Sequence, residues 1–296
     1  MRGRTERPRR GGAVVEGADV STSLIRTLDH LAAVLRRIGL GRLTRVARRA
    51  LEGLLREGMS VEVDGVRIRG GIRDRSFLYR LREGTFEPAT VRAMSQAITP
   101  GAIVVDVGAY LGYYTVLASH LAGASGKIYA VEPDPASFRW LERNIRQNGC
   151  RNVMTIRKAL SAHAGTASLY RNARDPSMSS LFPRRGWVET VPVESVTPDT
   201  ALDTDAVDVV KIDVEGAEPL VLAGMAGLFA RSLDPVLFVE LNPTALREAG
   251  SSPLELQATL RRLGFDAIEP LDEERGADGA LQLCNLYCRR KQVPGR

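Results

Sequence analysis

The sequence has little of what a disulfide-rich or metal-binding protein needs. Its 296 residues contain only three cysteines and three histidines, namely Cys150, Cys284, Cys288, His30, His120 and His163. The histidines form no cluster, and the cysteines lack the spacing of a metal site. Cys284 and Cys288 fall in the apolar run LQLCNLYC, where strand alternation places both on one face. We therefore interpret them as buried small hydrophobic residues rather than as a disulfide or a zinc pair.

Long apolar runs are also missing. No stretch approaches the roughly 20 uninterrupted apolar residues that a membrane-spanning helix requires, so we expect no membrane span. The basic N-terminus, MRGRTERPRRGG, is not followed closely by the apolar core of an export signal. A cytoplasmic location is therefore expected.

Lysine is scarce in a chain whose net charge is +6, because only four of its 41 basic residues are lysines. Such an arginine bias is more typical of a coding habit than of adaptation to nucleic acid, so no nucleic-acid partner is expected. The charge is uneven: residues 1–60 contain 13 arginines against 6 acidic residues, a balance of +7, which leaves 6 − 7 = −1 for the remainder. The basic N-terminal segment could contact an acidic partner or a membrane surface.

The first 85 residues are predicted to be an appendage to a larger domain. Residues 1–22 are rich in arginine and glycine without periodicity, which predicts a disordered basic tail. Residues 23–85 are predicted to form a cap of helices and a β-hairpin. Gly39-Leu40-Gly41 divides the apolar periodicity of residues 23–56 into two amphipathic helices, which could pack on the core, join copies into a homo-oligomer, or lie on a membrane surface. Asp64-Gly65 predicts the turn of the hairpin.

Residues 86–296 are predicted to be an α/β domain. Apolar strands alternate with helical segments, which indicates a mostly parallel, doubly wound sheet covered on both faces. Its five apolar strands are IVVDV (103–107), IYAVE (128–132), VMTIRKA (153–159), VDVVKID (207–213) and VLFVEL (236–241). A terminal antiparallel hairpin, FDAIEP (265–270) and LQLCNLYCRR (281–290), brings the sheet to seven strands. The interruption at about 161–206 predicts a β-rich insert over the carboxyl ends of the strands, where such sheets bind ligands.

The turn after the first of these strands reads Asp106-Val107-Gly108-Ala109-Tyr110-Leu111-Gly112 and leads into a helix. Gly108 permits a tight turn and a close approach to a ligand, and Gly112 permits close helix–strand packing. Asp106 would repel the pyrophosphate of a dinucleotide but suits a cation such as a sulfonium or an ammonium. The turn, including Ala109 and Tyr110, therefore favours S-adenosylmethionine over NAD as the cofactor.

The end of the second strand supports the same cofactor. Glu132 lies 24 residues beyond Gly108, and an acid at this position can accept hydrogen bonds from both ribose hydroxyls. Pro133 follows it in AVEPDP and stops the strand, while Asp134 is interpreted as a helix cap. By the same topology, the turn at Ala159 is expected beside the adenine.

Several segments together resemble the FkbM-type methyltransferases. They are VVDVGAYLGYYT, AVEPDP with the later Asn144, MSSLF, VVKIDVEGAEPLVLAG and VLFVEL, and they run from about Phe86 to Glu240. KIDVEGAE is the most specific of them, since the first two are shared across class I methyltransferases. The resemblance implies a Rossmann-like class I methyltransferase fold and O-methylation of hydroxyls on natural products, sugars or glycans. Tyr110 departs from the family, which usually has asparagine there.

Methyl transfer to a hydroxyl requires a base within hydrogen-bond reach or a metal that lowers the hydroxyl pKa. Asp213, at the end of the fourth strand, is our preferred base or acceptor-orienting group, with Glu215 second. Glu240 ends the fifth strand, and Asp213 and Glu240 could bracket the acceptor or together hold a divalent metal ion. Lys211 lies inside an apolar strand and is predicted to pair with Asp213 or Glu215.

Other polar residues keep two interpretations. Glu87, in FEPAT, could contact the amino-acid end of the cofactor or cap a helix, and Glu218 could stabilise a helix N-terminus or act in the site. Ser179 and Ser180 could contact the cofactor or the acceptor, or form a structural turn. Trp187 is more typical of packing than of a platform for a sugar ring.

The leading hypothesis is an O-methyltransferase that acts on a hydroxyl of a small molecule or a saccharide. The basic first 60 residues motivate a second hypothesis, in which the acceptor is nucleic acid or protein. A third is a non-catalytic cofactor-binding module, and a dehydrogenase is the remote alternative.

Overall fold

The computed structural model describes residues 58–291, apart from residues 173–174, 185–186 and 188. The predicted tail at 1–22 and the two helices predicted within 23–56, with the homo-oligomer they could form, lie outside the described residues. Among the described residues, no helix is long and apolar enough to cross a membrane.

Strands and helices alternate along most of the chain. The strands are β1 (Met59–Val63), β2 (Val66–Gly70), β3 (Ile103–Val107), β4 (Lys127–Val131), β5 (Val153–Ile156), β6 (Ala159–Leu160), β7 (Gly165–Arg171), β8 (Glu189–Val196), β9 (Val209–Ile212), β10 (Val236–Leu241), β11 (Ala267–Arg275) and β12 (Leu281–Arg289). The helices are α1 (Arg75–Arg82), α2 (Pro88–Ala97), α3 (Tyr113–Ala122), α4 (Pro135–Gln147), α5 (Pro198–Ala201), α6 (Glu218–Arg231), α7 (Pro243–Glu248) and α8 (Pro253–Arg262). Short 3₁₀ turns cover Ile72–Asp74 and Pro176–Met178.

The central sheet has seven strands in the order β11-β12-β10-β9-β3-β4-β5. Strands β3, β4, β5, β9 and β10 are parallel to one another, and β12 pairs antiparallel with both β10 and β11. The predicted doubly wound sheet with a terminal antiparallel hairpin is therefore confirmed. The chain order changes direction between β3 and β9, which is the switch point where open α/β sheets bind ligands.

Each face of this sheet carries its own apolar core. Side chains alternate along the strands, so that Val105, Val107 and Ile212 pack with α6 and α8 on one face. Val104 and Phe238 pack on the other face with α3 and with the N-terminal hairpin β1–β2. This second face also carries Asp106, Lys211 and Glu240, each two residues beyond the core residue of its own strand, Val104, Val209 or Phe238.

The insert forms a separate three-stranded sheet in the order β6-β8-β7. The predicted strand 153–159 is wrong in its extent, because the central-sheet strand ends at Ile156. Ala159 and Leu160 instead pair with Ser195 and Val196 of β8. The chain therefore leaves the central sheet between the two segments, and Ala159 faces the carboxyl ends of the parallel strands.

Candidate active site

A cavity of about 310 Å³ lies at the carboxyl ends of β3, β4, β9 and β10. Every predicted site residue except Gly112 lines it, namely Glu87, Asp106, Gly108, Ala109, Tyr110, Glu132, Pro133, Ala159, Asp213, Glu215 and Glu240. Gly112 lies just before α3, where an added Cβ would come within 2.5 Å of Leu141 Cδ1. It therefore allows α3 to pack against α4, rather than against a strand, and does not contact the cavity.

The loop between β3 and α3 is fixed by its glycine. Gly108 has a φ of 86°, and its N–H and that of Ala109 donate to the Val131 carbonyl at 2.9 and 3.0 Å. A Cβ at position 108 would lie 1.8 Å from the Asp213 carbonyl oxygen. No side chain fits there, so the loop is held against the ends of both β4 and β9.

Glu132 is oriented by backbone groups on either side. One carboxyl oxygen accepts from the Tyr110 N–H at 2.8 Å and the other from the Asp134 N–H at 2.8 Å. Burial raises the pKa of Glu132 to about 8 despite these two hydrogen bonds. Asp134 accepts from the Ala136 N–H at 2.6 Å, which confirms it as the cap of α4.

Tyr110 connects the cofactor loop to the N-terminal part of the structure. It has a φ of 50°, and its hydroxyl donates to Asp74 Oδ1. Asp74 Oδ2 in turn accepts from the Gly71 N–H at 2.6 Å, just after β2. The sequence pattern does not indicate Asp74 as a site residue, because its partner Tyr110 is 36 residues away along the chain.

Lys211 lies between three carboxyl groups at the centre of the sheet. It is 2% exposed, stands beside Asp106 in the parallel register of β3 and β9, and donates to Asp213 Oδ2 at 2.7 Å. Burial alone would lower the pKa of Lys211, but Asp213, Glu87 and Asp106 together raise it above its ordinary value. The predicted pairing of Lys211 with a carboxylate is confirmed.

Asp106 itself is held from α3. Its Oδ2 accepts from Thr115 Oγ1 at 2.6 Å, and the side chain is almost fully buried. Burial raises the pKa of Asp106, an effect that Lys211 and Thr115 oppose.

The predicted catalytic acids differ in their access to the cavity. The Asp213 side chain is 25% exposed, whereas that of Glu215 is 10% exposed. Glu240 is buried, and its Oε2 has no hydrogen-bond partner among the described residues. Burial, together with Glu215 and Asp213, raises the pKa of Glu240 well above its ordinary value.

Glu215 is tied to the insert. Its Oε2 lies 3.0 Å from Arg184 Nη2, and the Glu215 carbonyl accepts from Arg184 at 3.0 Å and from Ser180 Oγ at 2.7 Å. Burial and the charge of Asp213 raise the pKa of Glu215 to about 8, against the opposing effect of Arg184. Ser180 therefore serves the turn rather than the cavity, whereas Ser179 lines the cavity.

Two further residues have structural partners. Glu218 Oε1 accepts from the N–H groups of Val214 at 3.2 Å and Gly216 at 3.0 Å, and the residue does not line the cavity. It thus holds the turn at the start of α6. Trp187 packs against the Arg184 guanidinium at 4.9 Å from the ring centroid.

Five aromatic rings form one side of the cavity, which we call the aromatic wall: Phe77, Phe86, Tyr110, Tyr113 and Tyr114. Neighbouring ring centroids lie 4.8 to 6.1 Å apart. Glu87 lies at its edge, makes no side-chain hydrogen bond that caps α2, and accepts from the Tyr114 hydroxyl. Of the two interpretations of Glu87, the structure therefore shows an acid that faces the cavity and does not cap the helix.

Within the part of the chain that the structure describes, no group of three or more His, Cys, Asp or Glu side chains is placed to hold a metal ion. Divalent metal binding by Asp213 and Glu240 stays a hypothesis of the sequence.

Known proteins share this sequence pattern. A family model for the methyltransferase FkbM domain matches residues 106–267, more than half of the chain. Hexuronic acid methyltransferase AglP of Haloferax volcanii is 27% identical over 177 residues, which cover 58% of this chain and 70% of AglP. Methyltransferase sdnD of Sordaria araneosa is 27% identical over 196 residues, which cover 55% of this chain and 73% of sdnD. The crystal structure of M. jannaschii TYW2 in complex with AdoMet has a TM-score of 0.44 and 13% identity, covering 79% of this chain and 86% of that one.

Proposed function

Because the chain belongs to the FkbM methyltransferase family, with S-adenosylmethionine as its methyl donor, we propose that it methylates a hydroxyl group of a small molecule or a saccharide. The observation that carries the proposal is the single cavity in which Asp106, Glu132 and Asp213 meet. The two acids predicted to bind the cofactor, Asp106 and Glu132, therefore line the same space as Asp213, which is partly exposed and paired with Lys211. The hexuronic acid substrate of AglP supports a saccharide as one class of acceptor.

The residues present fit the cofactor. Gly108 lines the cavity, and its lack of a side chain lets the cofactor loop pack directly against the Asp213 carbonyl. Glu132 is fixed by two backbone N–H groups and would accept the ribose hydroxyls. Asp106 would favour the positive charge of the donor, and Pro133 and Ala159 would border the adenine.

When bound, S-adenosylmethionine supplies an electrophilic methyl group on a sulfonium sulfur. An acceptor hydroxyl would form the new O–C bond in line with the C–S bond that breaks, and its proton would pass to Asp213. The protein's main contribution is then orientation, since holding two reacting groups in line lowers the barrier by several kcal/mol.

We assign the base to Asp213 and not to the other two acids. Lys211 fixes one of its oxygens at 2.7 Å, and a quarter of its side chain remains exposed, which gives the proton a way to water. The pKa of Glu215 is raised to about 8, and that of Glu240 is raised well above its ordinary value by burial, so both are poor proton acceptors near neutral pH. Glu215, tied to Arg184, would hold the insert over the acceptor.

The test is methyl transfer from labelled cofactor to pools of hydroxyl-bearing small molecules and saccharides, with the methyl position assigned by NMR. We expect an O-methyl product. Asp213→Asn should lower turnover by about 10²–10⁴-fold while its Kd for S-adenosylhomocysteine stays within about threefold.

Asp203→Asn is the matched control, because Asp203 also pairs with a lysine, Lys127, but is 92% exposed. It should leave turnover unchanged. A carbon- or nitrogen-methylated product, or full turnover by Asp213→Asn, would refute the proposal.

A further inference from the structure

Two hydrogen-bond acceptors lie side by side without donors behind the acceptor end of the cavity. Glu240 of β10 stands directly opposite Asn285 of β12 in the antiparallel register. Neither Glu240 Oε2 nor Asn285 Oδ1 has a hydrogen-bond partner among the described residues, and the two residues are 6% and 3% exposed. A buried acceptor without a donor is costly. Of these two residues, Glu240 lines the cavity, so a ligand there can reach it.

The donors around them are already engaged. Lys211 donates to Asp213, and the Tyr114 hydroxyl donates to Glu87. The Asn285 amide also donates to Glu87, which lowers the pKa of that acid against the larger effect of burial. This corner of the cavity therefore needs a ligand that brings its own donors.

The charge of the lining points the same way. Among the described residues, the lining carboxyl groups number eight and the lining cations two: Glu87, Asp106, Glu132, Asp175, Asp213, Glu215, Glu240 and Glu274 against Arg80 and Lys211. Both cations already have acidic partners, Glu274 at 3.0 Å and Asp213 at 2.7 Å. Even with Asp106 and Glu132 assigned to the cofactor, acids outnumber cations. Glu215 and Glu240 keep a proton in the ligand-free protein, and a ligand cation beside them would stabilise their ionised form, so the site favours a positively charged ligand over an anion.

The aromatic wall completes this environment. Lys211 Nζ already lies 4.6 Å from the centroid of Tyr114, which shows that a cation is held against this wall. Ring faces attract ammonium groups, and more strongly when water is excluded. A second cation between the aromatic wall and Glu240 would be attracted both by the ring faces and by the Glu240 carboxyl group.

We propose that the methyl acceptor carries a protonated amino group, and that Glu240, backed by Asn285 and flanked by Glu87, forms the subsite that holds this ammonium while a neighbouring hydroxyl faces the methyl donor. The proposal rests on the function proposed above and narrows its substrate class to amino alcohols, of which amino sugars are the saccharide form. A uronic acid, by contrast, would place its carboxylate among carboxyl groups.

The experiment compares three matched pools with labelled cofactor and the full chain: amino sugars and aminocyclitols, their neutral counterparts, and uronic acids. We expect O-methyl product from the amino pool at least about tenfold above the neutral pool, and least from the uronic acids. Greatest transfer to the neutral or the uronic pool overturns the subsite but leaves O-methylation standing, and so does transfer to none of the three. An N-methyl product from the amino pool overturns both.

Glu240→Gln separates the subsite from the cofactor site. The amide keeps the shape of the side chain but carries no charge, so the amino-over-neutral preference should fall at least tenfold while the Kd for S-adenosylhomocysteine stays within threefold. Glu194→Gln, an exposed acid paired with Lys158, is the matched control and should keep the preference. An unchanged preference in Glu240→Gln overturns the proposal, and a large loss of S-adenosylhomocysteine affinity would reassign Glu240 to the cofactor's own amino group.

Discussion

Gly108 and Asp213 are separated by more than a hundred residues, yet the backbone of one leaves no room for a side chain on the other. Gly108 donates to Val131 and Asp213 donates to Val107, so the contact joins the ends of three neighbouring strands. At this one point the cofactor loop and the proposed base hold each other in place.

Gly108→Ala should therefore cost more stability than a positive φ alone explains. The new Cβ would overlap the Asp213 carbonyl at 1.8 Å, and we expect a loss of more than about 3 kcal/mol in the free energy of unfolding. Gly149→Ala is the matched control, because Gly149 has a φ of 68° with nothing within 4 Å of an added Cβ. It should cost about 1–2 kcal/mol. Denaturant unfolding measures both, and equal costs would show that the contact does not restrain the loop.

Glu240 gives a pH dependence of known sign. Burial raises its pKa in the folded chain above the ordinary value of 4.5, helped by Glu215, Asp213 and Glu218 and opposed by Lys211. The folded chain then keeps a proton that the unfolded chain has lost, so the contribution to stability is complete below pH 4.5 and declines as the pH rises toward the folded pKa. Glutamine does not ionise and removes this decline.

Glu240→Gln should thus gain stability relative to the native chain as the pH rises, by up to about 1.4 kcal/mol per pH unit. Chemical denaturation of the ligand-free protein at pH 5, 6 and 7 measures the gap. A gap that stays constant or narrows over this range would show that Glu240 is ionised in the folded protein.

Strand-end acids are the site residues that the sequence pattern could predict. Asp106, Glu132 and Asp213 each sit at or beside the end of an apolar strand, and parallel strand ends meet at one edge of a sheet. Asn285 and Arg184 could not be found in this way. Asn285 comes from the antiparallel strand β12, whose register is not encoded locally, and Arg184 reaches Glu215 from an irregular part of the insert.

At the scale of elements, the hairpin β1–β2 is fastened to the domain through one buried amide. Asn144 of α4 donates to the carbonyls of Arg69 at 2.8 Å and Leu111 at 2.7 Å, and accepts from the Arg69 N–H at 2.9 Å. Arg69 belongs to β2 and Leu111 to the cofactor loop. The hairpin and the loop are thus held by the same side chain.

Asn144→Ala should cost roughly 2–4 kcal/mol, because it leaves three backbone groups without partners in a buried place. It should also weaken S-adenosylhomocysteine binding through the loop and speed hydrogen exchange across residues 59–70. Gln147, on the same helix, donates to the Arg67 carbonyl and to Asn144 Oδ1. Because Asn144 Oδ1 still accepts from Arg69 without it, Gln147→Ala should cost less than about 1 kcal/mol. Native-like exchange of the hairpin in Asn144→Ala would contradict this role.

Elements with strong periodicity were predictable, and short ones between turns were not. β3 and β10 have the bounds that their apolar runs predict, and α4 begins at Pro135 behind its Asp134 cap. The helix α1 was missed, since only three of its eight residues, Phe77, Leu78 and Leu81, are buried. The end of β5 at Ile156 was also missed. Arg157 and Lys158 follow it outside the central sheet, and Lys158 pairs with Glu194 of the insert.

At the scale of the whole molecule, the positive charge is concentrated in residues 1–60, whereas the cavity lining is rich in acidic residues. The net charge is +6, and residues 1–60 alone account for +7, whereas the cavity lining is acidic. A polyanion such as RNA would meet repulsion at the proposed base, whatever it gains elsewhere.

The labelled methyl group should therefore appear in the small-molecule fraction of a cell extract and not in RNA or protein. Size separation of an extract incubated with the full chain and labelled cofactor measures this, with Asp213→Asn as the background. Label in the RNA or protein fraction, absent with Asp213→Asn, would favour the acceptor classes that the basic N-terminal segment suggests.

The central claim is that one cavity divides into a cofactor side at Glu132 and an acceptor side at Asp213. Calorimetric titration of S-adenosylhomocysteine into the native chain, Glu132→Ala, Asp213→Asn and the exposed control Glu194→Ala tests it most directly. We expect a Kd at least about tenfold weaker for Glu132→Ala and within about threefold of native for the other two. Native affinity in Glu132→Ala, or a loss of equal size in Asp213→Asn, would contradict the division of the cavity.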